Sequence, residues 1–262
     1  MAQDTKRLWG PGIAHTPAPA RLHPHEPMAD YHVKAALQHC LRDAFNSFEI
    51  DKRPAGVNDS YIRAFGLITS RQLFCNSADV EQFCISLERC DGKIMPGFSA
   101  KTGLYLSALI NLGSEKEYRL RTTNIKPPDL LGYHNIKRII VDGDAGTFCG
   151  EEMEGGSISV EGNVDFGCGK AMRNGLITVN GDAGCGLGLD MIGGSILIDG
   201  DADCECGWFM KGGRISIAGN AASYCGEGML GGEIHVMGEI ASISGSIKSG
   251  RIYQGETLVV GL

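Results

Sequence analysis

Three groups of residues in this sequence have types and spacings that chemistry uses. Ser99 and Lys101, within Gly97-Phe-Ser-Ala-Lys-Thr-Gly103, form a candidate serine–lysine nucleophile pair. Cys204-Glu-Cys206 offers two thiols that a strand would point the same way, and thiolates bind soft metals. His15, His23 and His25 stand near the N-terminus among prolines and could bind a metal.

Each group has a plainer reading. Lys101-Thr102-Gly103 matches one element of the penicillin-recognising enzymes, but their S-x-x-K nucleophile motif is absent. The same glycines could cradle a phosphate, yet the G-x4-G-K-[ST] order is missing. A turn that caps the apolar segment LYLSALIN explains the stretch better. Two cysteines are too few for a structural metal site, and a spacing of 19 residues to the other cysteines is no metal signature. The histidines fit a solvated, flexible or partner-bound arm over residues 1–30, which holds five of the nine prolines. Ser99 and Lys101 therefore stand as the catalytic candidates, with no cofactor and no metal expected.

The elements that position these residues follow from a repeat. Glycines recur at 143, 162, 181, 200, 219 and 238, each followed by Asp144, Asn163, Asp182, Asp201, Asn220 or Glu239. A methionine column runs through Met153, Met172, Met191, Met210 and Met229, followed by a glycine pair or its remnant. Two aliphatic columns close the unit, Ile158/Ile177/Ile196/Ile215/Ile234 and Val160/Val179/Ile198/Ile217/Val236. Nineteen residues with one alternating strand are too few for a helical hairpin or a propeller blade. Coils stacked about 4.8 Å apart turn each column into a ladder of like residues, Ile and Val inward and Ser159, Thr178, Leu197, Ser216 and His235 outward. Any insertion would throw the ladders out of register. The pattern predicts a β-solenoid over 134–262, continuous from about Ile136 to Tyr253, with a degenerate last coil as cap. In that last coil Lys248 and Tyr253 replace the Met and aliphatic columns. The apolar run Thr257–Leu262 then needs a partner, either its own coil or a neighbour. The cysteines fall into two ladders, Cys149/Cys168/Cys206/Cys225 and Cys185/Cys204 with Phe166, both read as interior positions filled by free thiols.

The repeat G-[DN]-A-G-x3-G-x2-M-x-G-G-x-I-x-V resembles the GXGXG repeat of the solenoid subunit of formylmethanofuran dehydrogenase. It is similar, too, to that of the C-terminal domain of the glutamate synthase large subunit. The match covers about residues 136–255, and residues 1–130 resemble neither family. The resemblance implies a right-handed β-helix that holds catalytic subunits or domains together, without an active site of its own.

Before the solenoid, residues 31–128 read as a small α+β domain. Asp30 can cap a helix with Val33, Leu37, Cys40, Leu41 and Ala44 on one face, Tyr61–Thr69 reads as a strand, and Asn76 or Ser77 can cap a second helix burying Val80, Phe83, Cys84 and Leu87. Another strand is expected at Tyr118–Thr122, with Pro127-Pro128 as a linker. The fold class is thus mainly β, a single-stranded right-handed β-solenoid of about six coils behind a small α+β domain.

Charge divides the chain. Residues 134–262 hold 8 Lys+Arg against 17 Asp+Glu, which argues against nucleic acid or an anionic membrane as partner. No apolar run approaches a membrane span and no secretory signal is visible, so a cytoplasmic location is expected. Three functions compete. The first is a non-catalytic scaffold subunit of a multisubunit oxidoreductase or formyl-transfer complex, with other protein subunits as partners. The second is a stand-alone binding module or self-associating structural protein, and the third a small enzyme using Ser99 and Lys101.

Overall fold

The computed structural model describes residues 28–50, 56–90 and 97–262. Its centre is one nine-stranded sheet in strict sequence order. Strands β1 (Glu117–Arg121), β2 (Arg138–Asp142), β3 (Ser157–Val160), β4 (Leu176–Val179), β5 (Ser195–Ile198), β6 (Arg214–Ile217), β7 (Glu233–Val236) and β8 (Arg251–Gln254) pair in parallel. The terminal β9 (Thr257–Gly261) pairs antiparallel with β8. A parallel neighbour reached through one coil each time is a β-solenoid, and Ile158, Ile177, Ile196, Ile215 and Ile234 stack in one fully buried column. A second ladder of single bridges runs through Ala145, Val164, Ala183, Ala202, Ala221 and Ile240 on another side of the coil. The ladder should be audible in stability. Ile196→Val is expected to cost about 0.5–1.5 kcal/mol in denaturant unfolding. Leu197→Val, one residue on but outward and 41% exposed, should stay within about 0.5 kcal/mol.

The Asp/Asn column has its own job. Asp144 Oδ1 accepts from the N–H of Asn163 at 2.7 Å, Asn163 Oδ1 from Asp182 at 2.8 Å, Asp182 Oδ1 from Asp201 at 2.8 Å, and Asp201 Oδ1 from Asn220 at 2.7 Å. Asn220 passes the same bond to Glu239 at 2.9 Å. Each side chain thus satisfies a corner amide of the next coil that has no strand partner. The column is a hydrogen-bonded spine.

Both ends of the solenoid differ from the sequence expectation. The sheet starts one coil before Ile136, at β1. Pro127-Pro128 is no free linker, because this segment runs inside the first coil, where Pro128 O and Leu131 O accept from Gly146 N and Gly150 N. At the other end the last coil is one residue short. Ile234 pairs with Ile252, and its neighbour Tyr253 stacks outside on His235 at 4.3 Å. With that single deletion counted, Ile252 continues the aliphatic column, and Ile247 packs beside it. The last coil is shortened as well as degenerate, with Ile247 in the Met column and Gln254 paired where the second aliphatic column would continue. The terminal run folds back on it as β9.

The strand expected at Tyr118–Thr122 is β1, and the N-terminal region before it is helical, without the other expected strand. Its helices are α1 (Met28–Ser47), α2 (Gly56–Ser70), α3 (Ser77–Ser86) with a 3-10 turn at Leu87–Cys90, and α4 (Phe98–Leu112). The expected strand at Tyr61–Thr69 lies within α2. Its aromatic and β-branched residues suggested a strand, but Tyr61, Ala64 and Ile68 are the buried set, and that spacing is helical. Helix α1 begins before Asp30, so Asp30 is no cap. It buries Leu41, Ala44 and Phe45, with Phe48 buried just past its end, while Val33 is 67% exposed and Cys40 faces solvent. Asn76 does cap α3, reciprocally with Asp79, and Val80, Phe83, Cys84 and Leu87 are buried as expected. The arm expected over residues 1–30, with its three histidines, lies outside the described residues except for 28–30.

Helix α3 seals the sheet. In β1 the alternate groups that face away from β2 would be bare, but Arg119 N donates to Ser77 Oγ at 3.4 Å and Arg121 O accepts from Cys84 Sγ at 3.3 Å. No helix of the described residues is long and apolar enough to cross a membrane.

Candidate functional site

Ser99 and Lys101 lie in the first turn of α4, since the helix starts at Phe98. Residues two apart on a helix do not face each other, and no hydrogen bond joins these two. Ser99 is buried, donates to Pro127 O and accepts from Asp129 N at 3.1 Å, so both roles of its hydroxyl are filled by the first coil. Lys101 turns the other way. Its ammonium sits 4.8 Å over the Phe45 ring and donates to Asn46 O at 3.4 Å, and partial burial lowers its pKa.

Ser99 belongs to a stripe. Ser99, Gly103, Ser107 and Asn111 recur every four residues along α4, one face of the helix. Ser107 Oγ accepts from Gly132 N at 2.8 Å and Tyr133 N at 3.3 Å while donating to Gly103 O. Asn111 Nδ2 donates to Tyr133 O at 3.2 Å, His134 O at 3.3 Å and Tyr61 Oη at 2.8 Å. The stripe supplies bonds to the irregular backbone of residues 127–134 and docks the helices on the solenoid. The i, i+4 polar spacing on an otherwise apolar helix was visible in the sequence.

Beside this joint a cleft of about 540 Å³ opens, lined by Tyr133, Phe148, Glu151, Glu152 and Lys170. Glu151 is 6% exposed, and burial pushes its pKa up. Lys170 Nζ donates to Glu151 Oε1 at 2.7 Å and sits 4.6 Å over the Phe148 ring. His134 Nδ1 meets Glu154 Oε1 at 2.9 Å, and its Nε2 lies 3.9 Å from Glu152 Oε2. A carboxyl with a raised pKa beside an ammonium is the kit of a general acid–base pair. Here the two charges are spent on each other. Nothing in the sequence singled out Glu151 or Lys170, because the ladder alone makes positions 19 apart neighbours.

The cysteines divide differently from expectation. Cys149, Cys168, Cys206 and Cys225 are buried in the interior column with Leu187, as expected. Burial pushes the Cys225 thiol up to about 12. Cys168 is raised by a hydrogen bond with Cys149 and by burial. Such thiols are unreactive. The other column is not interior. Cys185 and Cys204 are half-buried on the outside of adjacent coils and form a disulfide, Cα–Cα 4.6 Å, so a full complement of free thiols is not found. Cys204 and Cys206 point to opposite sides, because the residue between them, Glu205, takes a positive φ of 63° and breaks the extended geometry. Asp203, the neighbour of Cys204, also lines an acidic groove of about 570 Å³ together with Asp182, Asp201 and Glu239. Ligand atoms of Cys185, Cys204 and Asp203 lie within 4.8 Å of one another.

Comparison with models of known families finds no match, and comparison with curated proteins finds none. Among solved structures, the chain is similar to one in the formyltransferase/hydrolase complex (FhcABCD) from Methylorubrum extorquens in complex with methylofuran. The identity is 24%, the TM-score 0.46, and the match covers 64% of this chain and 68% of that one.

Proposed function

We propose that this chain is a non-catalytic assembly subunit, and that its partner is another protein docked at the C-terminal end of the solenoid. The observation that carries the reading is the asymmetry of the two ends. At β1 the outward backbone groups are met by α3. At β9 they are not covered by any described residue, and Leu258, Val259 and Leu262 are 50%, 40% and 69% exposed. An apolar edge strand left open is a template for pairing with another chain. The terminal run is already paired once, with β8, so the free edge is the outer side of β9. The candidate catalytic groups support the same reading, since Ser99 and Lys101 are each engaged in holding the structure and face apart. The finer assignment, to a multisubunit oxidoreductase or formyl-transfer complex, draws on the repeat columns similar to those of the formylmethanofuran dehydrogenase solenoid. The acidic solenoid and the absence of a membrane-length helix among the described residues fit a protein partner in the cytoplasm.

The test is purification of the full chain from its native source, with identification of co-migrating chains. A distinct partner chain is expected, lost when Leu258→Lys and Val259→Lys are combined, while the thermal transition of the isolated variant stays within a few degrees of wild type. A chain that runs alone as a monomer from the native source would sink the proposal. A complex containing only copies of this chain would replace it with self-association.

A further inference from the structure

We propose that Cys185, Cys204 and Asp203 form a thiophilic divalent-cation site when the two cysteines are reduced, and that the disulfide is its closed, cation-free state. Linear spacing hides such a site. Residues 19 apart are ordinarily unrelated, but one solenoid coil puts them side by side, here with Cα atoms 4.6 Å apart. A tetrahedral Zn²⁺ with bonds of about 2.3 Å to sulfur holds two thiolates about 3.8 Å apart. That spacing is reached from the disulfide by side-chain rotation without moving either coil. Asp203 supplies the third ligand. Its Oδ1 accepts from Cys204 N at 2.8 Å, which fixes the carboxylate beside the thiols, and its other oxygen has no partner among the described residues. All three groups are half-buried or exposed on the outer face, so a water can complete the fourth position.

The surroundings favour a cation. Asp182 and Asp201 line the same groove as Asp203 and add negative potential. Two sulfurs with a carboxylate select a soft or borderline metal, such as Zn²⁺, over Mg²⁺ or Ca²⁺. Loading the site releases the two thiol protons to solvent. Closing it needs a two-electron oxidant, for which hydrogen peroxide serves. Two S–H bonds and the O–O bond break, one S–S bond forms, each sulfur loses one electron, and peroxide leaves as two waters. The four cysteines of the interior column take no part, because they point into the core.

The experiment uses the full chain, reduced and freed of metal, titrated with Co²⁺ as a spectroscopic probe and with Zn²⁺ in competition. One equivalent of Co²⁺ is expected, with a thiolate-to-cobalt charge-transfer band that Zn²⁺ abolishes. Cys185→Ser or Cys204→Ser should remove the band, and Asp203→Asn should weaken binding about 10–100-fold, at least what loss of a mere supporting group costs. Cys206→Ser should leave it intact. Prior peroxide treatment should abolish binding and yield, after cleavage at Asp190 and Asp199, peptides joined through Cys185 and Cys204. Without any variant, Zn²⁺ should protect those two cysteines from alkylation in the wild-type chain. No charge-transfer band in the reduced wild type, or protection that falls on other cysteines, overturns the proposal.

Discussion

Gly156→Ala should lower the unfolding free energy by about 3–5 kcal/mol, while Gly155→Ala, its neighbour, should change it by less than about 1 kcal/mol. The two glycines look identical in the sequence. Gly156 has φ of 65°, which costs an alanine about 1–2 kcal/mol from the left-handed backbone alone. Its added Cβ would also overlap Lys137 O and approach Ile136 C at 2.6 Å and Lys137 N at 2.7 Å. Those atoms belong to the backbone of the previous coil, so they cannot rotate away as a side-chain end would. They retreat only if β2 and β3 separate, which breaks the register that every later coil inherits. Gly155 has an ordinary φ and nothing within 4 Å of an added Cβ. Denaturant unfolding of the two variants, read against wild type, gives the answer directly. Similar losses at both sites would mean that the pair serves flexibility, and that close approach between coils is not what the second glycine provides.

That pair shows what a repeat reveals and what it conceals. The fold of residues 134–262 was legible because six copies of one unit report the same constraint, and a single alternating strand of four residues admits few structures. Column membership gave the interior Ile, Val, Met and Cys149 ladders. It failed where the chain leaves the strand. At Cys204 the column held Phe166 and Cys185 and looked apolar, but a positive φ at Glu205 turns it outward. The missing residue in the last coil was concealed because Lys248 and Tyr253 sit where an unbroken count of 19 puts them; only the pairing of Ile234 with Ile252 reveals the shift. In the N-terminal region no repetition helps. YIRAFGLIT satisfies a strand by composition and a helix by spacing, and the buried face against α4 decides for the helix. Ser99 was singled out for its lysine two residues on, when its partners in space come from the chain 28 and 30 residues later.

The joint between the helices and the solenoid rests on one glycine of that same motif. Gly103→Ala should destabilise by about 4–6 kcal/mol, a large share of the roughly 5–15 kcal/mol that holds a typical domain. Gly103 sits midway along the α4 stripe between Ser99 and Ser107, where the helix backbone lies directly on the first coil. A Cβ there would overlap Asp129 O, and would meet Asp129 C at 2.8 Å and Leu131 N at 3.0 Å. None of these can yield without lifting the helix from the coil. Lifting it stretches the bonds from Ser99 to Pro127 O, from Gly132 N to Ser107, and from Asn111 to Tyr133 O at once, and each buried polar group left without a partner costs about 1–3 kcal/mol. A conformational strain in the substituted residue is not the cause, since Gly103 is in the middle of a regular helix where alanine is intrinsically preferred by about 0.5–1 kcal/mol. Gly66→Ala isolates that preference. It too lies in a helix, α2, but with nothing within 4 Å of its added Cβ, and it should stabilise slightly. Opposite signs for the two substitutions in equilibrium unfolding are the expected result. A Gly103→Ala protein within about 1 kcal/mol of wild type would show that α4 can leave the first coil freely, and that Lys101-Thr102-Gly103 answers to some demand other than packing.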